Sequence, residues 1–304
     1  MAILLKSNLE GKTLARRGKV RDVYDEGDQL LIVATDRISA FDRVMPKGIE
    51  GKGIALTRLS EFWFLKTRHI FKNHFISRYS ERTLRVKKAD RISIEWIVRA
   101  YLYGSAWRAY SKGARQVSGV QLPAGLQMAE ELPEIILTPT TKSDVGHDEE
   151  LSKEQAIERK LVTLDEWNEL EEATFRLYEF YKREASVKDI IIPDFKLEYG
   201  RVSDELIQID EPPTHDSARF WNKTKYRVGE KQEKHCLDKE FLRDFLIRKG
   251  FSGEGEIPEL PQLVLDQISK RCTGAFEVLS GARRLDSLGL LSVDEVLERL
   301  KQTA

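Results

Sequence analysis

The chain has 304 residues, enough for one large domain or two smaller ones. Its 50 basic and 50 acidic side chains cancel, which argues against a general nucleic-acid or membrane partner, since either would require a basic surplus. No apolar run is long enough to span a bilayer, the first ten residues lack signal-peptide features, and the two cysteines form no CxxC pattern. We therefore expect a cytoplasmic protein without a disulfide framework or a structural zinc site.

The N-terminal third is predicted to be mostly strands. Residues 19–24 and 29–34 flank a short acidic and glycine-containing turn, which predicts a β-hairpin. Apolar residues at helical spacing predict a helix over residues 57–71. Residues 84–86 and 94–98 are typical of buried strands, and we expect a domain boundary near residues 84–90.

The rest of the chain is richer in predicted helix. Capping boxes of Thr163 with Glu166 and of Ser292 with Glu295 predict the starts of two helices. Asp238 is predicted to cap a third helix, which ends at Gly250. Pro261 is predicted to open a fourth, which ends near Gly281. Residues 112–139 are predicted to be loop-like because glycine and proline recur there, and the polar residues 140–150 follow. A long segment of this kind is often a binding loop or lid.

The segment that starts at Asp194 alternates ionisable and largely apolar side chains. In a strand, Asp194, Lys196 and Glu198 would line one face. The apolar residues 206–209 follow a turn and lead to Asp210, so a second β-hairpin is predicted. Its carboxylates and lysine suit Mg²⁺ and polyphosphate, because hard cations take oxygen ligands and are shared with substrate phosphates. A solvated strand face with a salt bridge is the equally plausible alternative.

Two basic residues lie beside Gly18 at the start of the first hairpin. In a strand, Lys19 and Arg21 would share a face and can cover nucleotide phosphates, while the glycine allows close approach. Ordinary exposure is the alternative for such residues. The chain has no Walker A or GxGxxG motif, so neither a P-loop nor a Rossmann site is predicted.

A further basic residue, Arg99, leaves an apolar strand just before Gly104 and Ser105. A guanidinium is rarely buried without an anionic partner, and the two following residues can offer an amide and a hydroxyl to a phosphate. The alternative is an internal ion pair, with Glu95 as the partner.

The basic residues after the second hairpin suit an anionic substrate. Arg219 beside two aromatic residues is typical of a fixed guanidinium that binds a carboxylate or phosphate. Lys239 and Arg243 share a helix face, although a solvated face explains them equally well. Residues 35–42 and His147 also have plain structural explanations, as a turn and a loop histidine. With no Ser-His-Asp or Cys-His arrangement, the pattern favours ATP-dependent chemistry on an anionic substrate.

Several motifs in their order along the chain carry a resemblance to a known family. They are GKVRDVY from Gly18, ATDRISAFD from Ala34, LTRLSEFWF from Leu56, IEWIVRAYLYGSAW from Ile94, LTPTTKSDVGHDEE from Leu137, IIIPDFKLEYG from Ile190, DSARFW from Asp216 and DKEFLRDFL from Asp238. Together they span most of the chain, which resembles the SAICAR synthetase (phosphoribosylaminoimidazole-succinocarboxamide synthase) family in its longer, yeast-type form.

The resemblance implies an α+β fold, with a kinase-like N-terminal antiparallel β lobe over residues 1–86 and a larger mixed α/β lobe over residues 87–304. ATP would bind in the cleft between them. It also implies an ATP- and Mg²⁺-dependent ligase that joins L-aspartate to the carboxylate of CAIR, a phosphoribosyl aminoimidazole carboxylic acid, through an acyl phosphate. The implied partners are these small molecules, with no nucleic acid or membrane, and the enzyme would be a monomer or a homo-oligomer.

The family's site residues carry over by position. The implied nucleotide-binding residues are Lys19, Arg21, Val86, Lys87, Glu198 and Asp210, of which Glu198 and Asp210 would also hold the metal. The implied substrate-binding residues are Ser39, Arg99, Ser105, Asp216, Arg219, Lys239 and Arg243. Lys196, Asp194 and Arg219 would be catalytic. Ser39 and the loop of residues 142–148 are the candidates for binding aspartate.

Some residues depart from the family pattern. They are Ala100 for glycine, Tyr103 for a small residue or threonine, Tyr199 for phenylalanine, Ala218 for serine and Glu240 for glutamine. Tyr103 is the largest departure, because its bulk beside a phosphate site could close it. The alternatives are a different ATP-dependent ligase or phosphotransferase on the same fold, or a non-catalytic nucleotide-binding paralogue. The intact charged set favours an active enzyme.

Overall fold

The computed structural model describes residues 2–142 and 149–302, and it confirms the predicted α+β class. The strands are β1 (Thr13–Arg17), β2 (Arg21–Asp25), β3 (Gln29–Ala34), β4 (Ser39–Ala40), β5 (Arg43–Val44), β6 (Phe75–Ser80), β7 (Thr83–Lys87), β8 (Asp90–Arg91), β9 (Ile94–Tyr101), β10 (Gln116–Val117), β11 (Val120–Gln121), β12 (Glu131–Leu137), β13 (Thr140–Thr141), β14 (Ile190–Ile191), β15 (Asp194–Val202), β16 (Glu205–Ile209) and β17 (Trp221–Asn222). The helices are α1 (Lys52–Thr67), α2 (Gly104–Ser111), α3 (Lys153–Glu158), α4 (Leu164–Ser186), α5 (Glu240–Arg248), α6 (Gln262–Leu279) and α7 (Val293–Gln302).

The N-terminal sheet has the strand order β1-β2-β3-β7-β6, and each neighbouring pair is antiparallel. β2 and β3 form the predicted hairpin. However, β2 begins at Arg21, so Lys19 lies in the preceding turn and the prediction that these two residues share a strand face is wrong. Because side chains alternate along a strand, Arg21 and Val23 share one face of β2, and Ile32 pairs directly with Val23. Both apolar side chains are half-buried.

The second sheet has the order β12-β9-β15-β16, and the short strands β13 and β8 pair with the central strands β9 and β15. β15 and β16 form the predicted carboxylate hairpin, with Val202 opposite Glu205, so its turn is shorter than expected. The expectation that residues 112–139 are loop-like is wrong over β10, β11 and β12, whereas residues 122–130 lie outside any helix or strand. Gly119, with positive φ, serves a two-residue turn between β10 and β11, and Pro133 lies in β12, an edge strand where a missing N–H is tolerated.

The helix boundary signals correspond to hydrogen bonds. The hydroxyl of Thr163 accepts the Glu166 N–H at 3.2 Å, and the Glu166 carboxylate accepts the Thr163 N–H at 2.7 Å. Ser292 and Glu295 repeat this capping box at α7. At α5, Asp238 accepts the N–H of Glu240 at 2.7 Å, although the residue at the helix N-cap is Lys239.

An aromatic stripe on α4 covers one face of the second sheet. Trp167 packs against Trp96 of β9 with ring centroids 4.8 Å apart, and Tyr178 and Tyr181 both lie 5.6 Å from Phe195 of β15. All five side chains are buried. Since these apolar residues occupy one side of the sheet, the charged residues of β15 lie on the opposite side. Within the two described ranges, no helix has both the length and the apolar composition needed to cross a bilayer.

Backbone hydrogen bonds fix the two sheets against each other near Gln208 of β16. The Gln208 N–H donates to the carbonyl of Lys72, and the His74 N–H donates to the carbonyl of Gln208, both at 2.9 Å. This junction lies two residues before Asp210. The N-terminal sheet is therefore held over the end of the carboxylate hairpin.

Candidate active site

The charged face of β15 has the predicted alternation. Asp194, Lys196 and Glu198 point to one side, while Phe195, Leu197 and Tyr199 are almost fully buried on the other. β15 pairs with β9 on one side and with β16 on the other. Polar side chains of three adjacent strands therefore meet on this face.

A lysine–carboxylate cluster consists of Glu95, Lys142, Lys196 and Glu198. The Lys196 Nζ lies 2.6 Å from Glu95 Oε1 and 3.0 Å from Glu198 Oε1, and the Lys142 Nζ lies 2.6 and 2.8 Å from the same two oxygens. Burial would raise the pKa of Glu95, but the two lysines outweigh it and hold that pKa below its usual range. Burial would likewise lower the pKa of Lys196, yet Glu198 and Glu95 raise it well above normal. The ammonium of Lys196 therefore stays charged.

Arg21 of β2 reaches the end of the carboxylate hairpin. Its NH1 lies 2.9 Å from Asp210 Oδ1, and its NH2 lies 3.0 Å from Glu211 Oε1. Asp210 has a left-handed backbone with φ 62°, which turns the chain sharply after β16. Burial would raise the pKa of Asp210, but Arg21 and Lys196 hold it far below its usual range. Asp210 is thus an ionised oxygen donor within electrostatic range of Lys196 and Arg21.

Glu198 lies in β15 and Asp210 directly follows the adjacent strand β16, since Glu198 pairs with Ile209 in the hairpin register. Carboxylate oxygens are the hard ligands that Mg²⁺ takes when it is shared with phosphates. Among residues 2–142 and 149–302, no three acidic, histidine or cysteine side chains converge on one point. These two carboxylates therefore fit a metal that takes its remaining ligands from a nucleotide and water, and do not form a complete protein cage.

The arginine cluster consists of Arg99, Arg219 and Arg243 with their carboxylate partners Asp194 and Glu240. The Arg219 NH1 lies 2.6 Å from Asp194 Oδ2 and its Nε lies 3.3 Å from Glu240 Oε1, which also accepts from Arg243. The Arg99 NH1 lies 3.8 Å from Asp194 Oδ2. The alternative of an internal ion pair therefore holds for Arg99, but its partner is Asp194, since Glu95 binds Lys142 and Lys196.

Two hydroxyl groups accept hydrogen bonds from this cluster, one from Thr138 and one from Ser105 at the start of α2. Arg99 donates from Nε to the hydroxyl of Thr138 at 2.8 Å and from NH2 to the hydroxyl of Ser105 at 3.1 Å. A Cβ at Gly104 would lie 2.5 Å from the Arg219 NH2, and this glycine has φ 61°. Glycine is therefore required at residue 104 for the Arg219 guanidinium to lie where it does.

Tyr103 does not fill the cluster. Its ring is 5 % exposed and packs against Trp221 at 5.0 Å, and its hydroxyl accepts the N–H of Gln232 at 3.3 Å. The Arg219 guanidinium carbon lies 5.3 Å from the ring centroid, which is cation–π distance. The expectation that this bulk could close the site is wrong, because the ring belongs to the core and supports Arg219.

A third group of charges joins α1 to the segment before Arg219. The Lys52 Nζ lies 2.6 Å from Asp216 Oδ2 and the Lys239 Nζ lies 3.4 Å from Asp216 Oδ1, with Lys52 fully buried. Burial would raise the pKa of Asp216, but Lys239 and Lys52 hold it far below its usual range. Sequence reasoning missed Lys52. The available signal was a lysine between Gly51 and Gly53 at the start of a helix, where the helix dipole disfavours a cation.

Other predicted site residues lie outside these groups. Lys19 pairs with Asp42 at the exposed edge, and Ser39 lies in β4, where no hydrogen bond between described residues joins its hydroxyl to the clusters. Val86 is buried on the Arg21 face of the N-terminal sheet, opposite Leu30, and Lys87 points to the other face. Residues 143–148, including His147, lie outside the described residues, so only Lys142 of the predicted aspartate-binding loop is placed.

Comparisons with known proteins find relatives along most of the chain. The family model for SAICAR synthetase matches residues 14–258. The phosphoribosylaminoimidazole-succinocarboxamide synthase of Syntrophobacter fumaroxidans is 43% identical over 298 residues, covering 92% of this chain and 96% of that protein. The one of Thermodesulfovibrio yellowstonii is 40% identical over 293 residues, covering 91% and 99%.

Solved structures show the same fold. The SAICAR synthase of Saccharomyces cerevisiae in complex with SAICAR superposes with a TM-score of 0.82 at 39% identity, covering 91% of this chain and 98% of that one. A SAICAR synthetase in complex with ADP superposes with a TM-score of 0.63 at 28% identity, covering 81% and 99%. The predicted resemblance is confirmed, and the chain belongs to the SAICAR synthetase family.

Proposed function

We propose that this cleft carries out the ligation of its family, joining L-aspartate to the carboxylate of CAIR while ATP is cleaved to ADP and phosphate, as a step of de novo purine biosynthesis. The observation that carries the proposal is the charged face of β15. Its Glu198 end belongs to the lysine–carboxylate cluster and its Asp194 end belongs to the arginine cluster. Asp194 and Glu198 are four positions apart along the strand, a distance of about 13 Å, so a polyphosphate and a second anion can lie side by side.

The nucleotide is assigned to the Glu198 end. Residues 1–86 would cover it, with the adenine against the half-buried Val23 and Ile32 and beside Val86 and Lys87. On the same face, Arg21 would turn towards the phosphates, and Lys19 in the preceding turn would add a second cation. A guanidinium and an ammonium together neutralise phosphate charge and fix its position.

Glu198 and Asp210 are the residues that would hold Mg²⁺. When bound, the ion would offset the negative charge of the ATP phosphates, which otherwise repel an anionic substrate. The close neighbour Lys196, kept protonated by its carboxylate partners, contributes a further fixed charge beside the transferred phosphoryl group.

CAIR is assigned to the Asp194 end. Arg99, Ser105 and Arg219 would bind its ribose phosphate, and Asp194 would accept hydrogen bonds from the aminoimidazole. Lys239, Arg243 and Asp216 would line the opening for the substrate. The support is geometric, since Arg99, Ser105, Asp194 and Arg219 are joined by hydrogen bonds and ion pairs.

The chemistry follows from the poor leaving group of a carboxylate. A CAIR carboxylate oxygen attacks the γ-phosphorus of ATP, the bond from that phosphorus to the ADP oxygen breaks, and an acyl phosphate forms. The uncharged amine of L-aspartate then attacks the acyl carbon, loses a proton and expels phosphate. Lys196, Asp194 and Arg219 are the residues proposed to touch the reacting groups, and they act by positioning and charge neutralisation. Lys142 and Ser39 are the proposed contacts of L-aspartate.

A four-component turnover assay tests this function. ADP should be released only when ATP, Mg²⁺, CAIR and L-aspartate are all present, and SAICAR should form in equal amount. Omission of any one component is the control. Folded protein that forms no SAICAR in the full mixture, or that releases ADP equally without L-aspartate, would contradict the proposal. All four reactants are small and water-soluble, which fits a cytoplasmic enzyme. The proposed enzyme acts as a monomer or a homo-oligomer.

A further inference from the structure

Arg108 lies on the same face of α2 as two residues of the arginine cluster. In a helix, residues three and four positions apart are neighbours on the surface, so Arg108 lies one turn after Ser105 and Gly104. Ser105 binds Arg99, and Gly104 lies against Arg219. The side chain of Arg108 is therefore carried to the open side of the cluster, and it is in electrostatic range of Arg99, Arg219 and Arg243.

Arg108 differs from the other arginines in its partners. Arg99, Arg219 and Arg243 each donate to a side chain of the protein, and two of them share Glu240. Within residues 2–142 and 149–302, no carboxylate or other side chain accepts a hydrogen bond or ion pair from the guanidinium of Arg108, which is exposed. Its donors are therefore available to a ligand without breaking an internal bond.

The charges around this position do not balance. Arg99, Arg108, Arg219 and Arg243 have two carboxylate ion-pair partners in the described chain, Asp194 and Glu240. The nearby Asp238 accepts the backbone N–H groups of Phe220 and Glu240 and adds a third negative charge. Four guanidinium groups still outnumber these carboxylates, so the cluster keeps a positive surplus. A phosphate monoester, which carries a charge of about −1.5 to −2 at neutral pH, is an anion of the kind that would neutralise it.

We propose that Arg108 is a further substrate-binding residue, which closes the open side of the arginine cluster around the phosphate monoester of the nucleotide substrate. This rests on the proposed assignment of CAIR to the Asp194 end of the cleft. Arg219 and Arg243 must share their donors with protein carboxylates, whereas Arg108 can direct its planar fork to phosphate oxygens. Arg108 then selects for the phosphorylated substrate over the corresponding nucleoside.

Steady-state kinetics on Arg108→Ala and Arg108→Lys test the assignment. We expect the KM for CAIR to rise about tenfold or more in the alanine variant, because a hydrogen bond to a charged group is lost. The KM values for ATP and L-aspartate should stay within about twofold of the parent, and the lysine variant should fall between parent and alanine. Lys112→Ala is the matched control, since it removes an exposed cation four residues after Arg108, at the C-cap of α2. An unchanged KM for CAIR in Arg108→Ala would overturn the proposal, as would an equal rise for ATP.

A binding measurement separates this proposal from the proposed function. Inorganic phosphate is titrated by calorimetry into the parent, Arg108→Ala and Lys112→Ala proteins, and this readout requires no turnover. A loss of phosphate affinity of about tenfold confined to Arg108→Ala would support the site even if the four-component assay failed. Equal affinities in all three proteins, or no phosphate binding by the parent, would reject the role of Arg108. Equal melting temperatures would show that the variants are folded.

Discussion

Arg21 and Asp210 meet between the N-terminal sheet and the carboxylate hairpin, with 2.9 Å between NH1 and Oδ1. The NH2 of the same guanidinium lies 3.0 Å from Glu211 Oε1. One residue of the N-terminal sheet thus binds the turn that carries a proposed metal ligand. Any ligand that binds Asp210 must share it with Arg21, so the ion pair connects the N-terminal sheet to the proposed nucleotide site.

Glu198→Gln should abolish most Mg²⁺-dependent turnover while preserving the fold. We expect kcat to fall by about 100-fold or more, because several kcal/mol of charge stabilisation depend on the metal. Lys142 and Lys196 keep Glu95 as a partner, each at 2.6 Å, so the melting temperature should change little. Glu205→Gln in the same hairpin is the control, since Glu205 pairs with the exposed Lys72. Parent-like rates in Glu198→Gln would remove it from the metal site.

Arg219→Lys should raise the KM for CAIR far more than the KM for ATP. Lysine cannot bridge Asp194 and Glu240 with a planar fork or stack on Tyr103 in the same way. We expect an increase in KM for CAIR of about 10- to 100-fold, measured by initial rates at saturating ATP and L-aspartate. Arg227→Lys, on an exposed surface nearby, should have parent-like constants. Equal KM values for CAIR in both variants would contradict the substrate assignment.

Lys52→Met should destabilise the protein by about 3 kcal/mol, because it leaves the buried carboxylate of Asp216 without its nearest partner. Lys239, at 3.4 Å, compensates only in part. Urea denaturation of Lys52→Met, Asp216→Asn and the double variant gives a double-mutant cycle. The double variant should be clearly less destabilised than the sum of the two single variants. Strict additivity would show that the pair does not interact.

His215→Gln should make the protein less sensitive to mild acid. Burial lowers the pKa of His215 to about 3, so below pH 6.5 the unfolded chain gains a proton that the folded chain does not take up. Stability is therefore lost as the pH falls from 6.5 towards 3, and this histidine accounts for about 2 kcal/mol of the loss between pH 6.5 and 4.5. Urea denaturation at a series of pH values measures it. A slope in His215→Gln identical to that of the parent would contradict this prediction.

Local patterns in the sequence predicted most of the elements that position the site. The alternation from Asp194 to Tyr199 predicts a strand with one charged face, and the capping boxes at Thr163 and Ser292 predict helix starts to the residue. These signals depend on neighbours in the chain. Glycine and proline misled the prediction over residues 112–139, since the same residues suit a tight hairpin turn and an edge strand.

Contacts between residues far apart in the chain could not be predicted from local sequence patterns. The pairing of Lys52 with Asp216 joins residues 164 positions apart, and nothing near either residue indicates the other. The place of Tyr103 depends on Trp221, which forms a pocket for its ring only after the chain has folded. The sequence likewise offered Glu95 as a partner of Arg99 because the two residues are close in the chain. In the folded protein Glu95 pairs instead with Lys142 and Lys196.

The contact between Gly104 and Arg219 limits which substitutions this chain can accept at residue 104. A side chain there would meet two separate penalties, a left-handed backbone and a collision with the guanidinium at 2.5 Å. Moving the arginine away would relieve the second and leave the first. A variant of this chain with any other residue at 104 therefore has to adjust both the start of α2 and the arginine cluster.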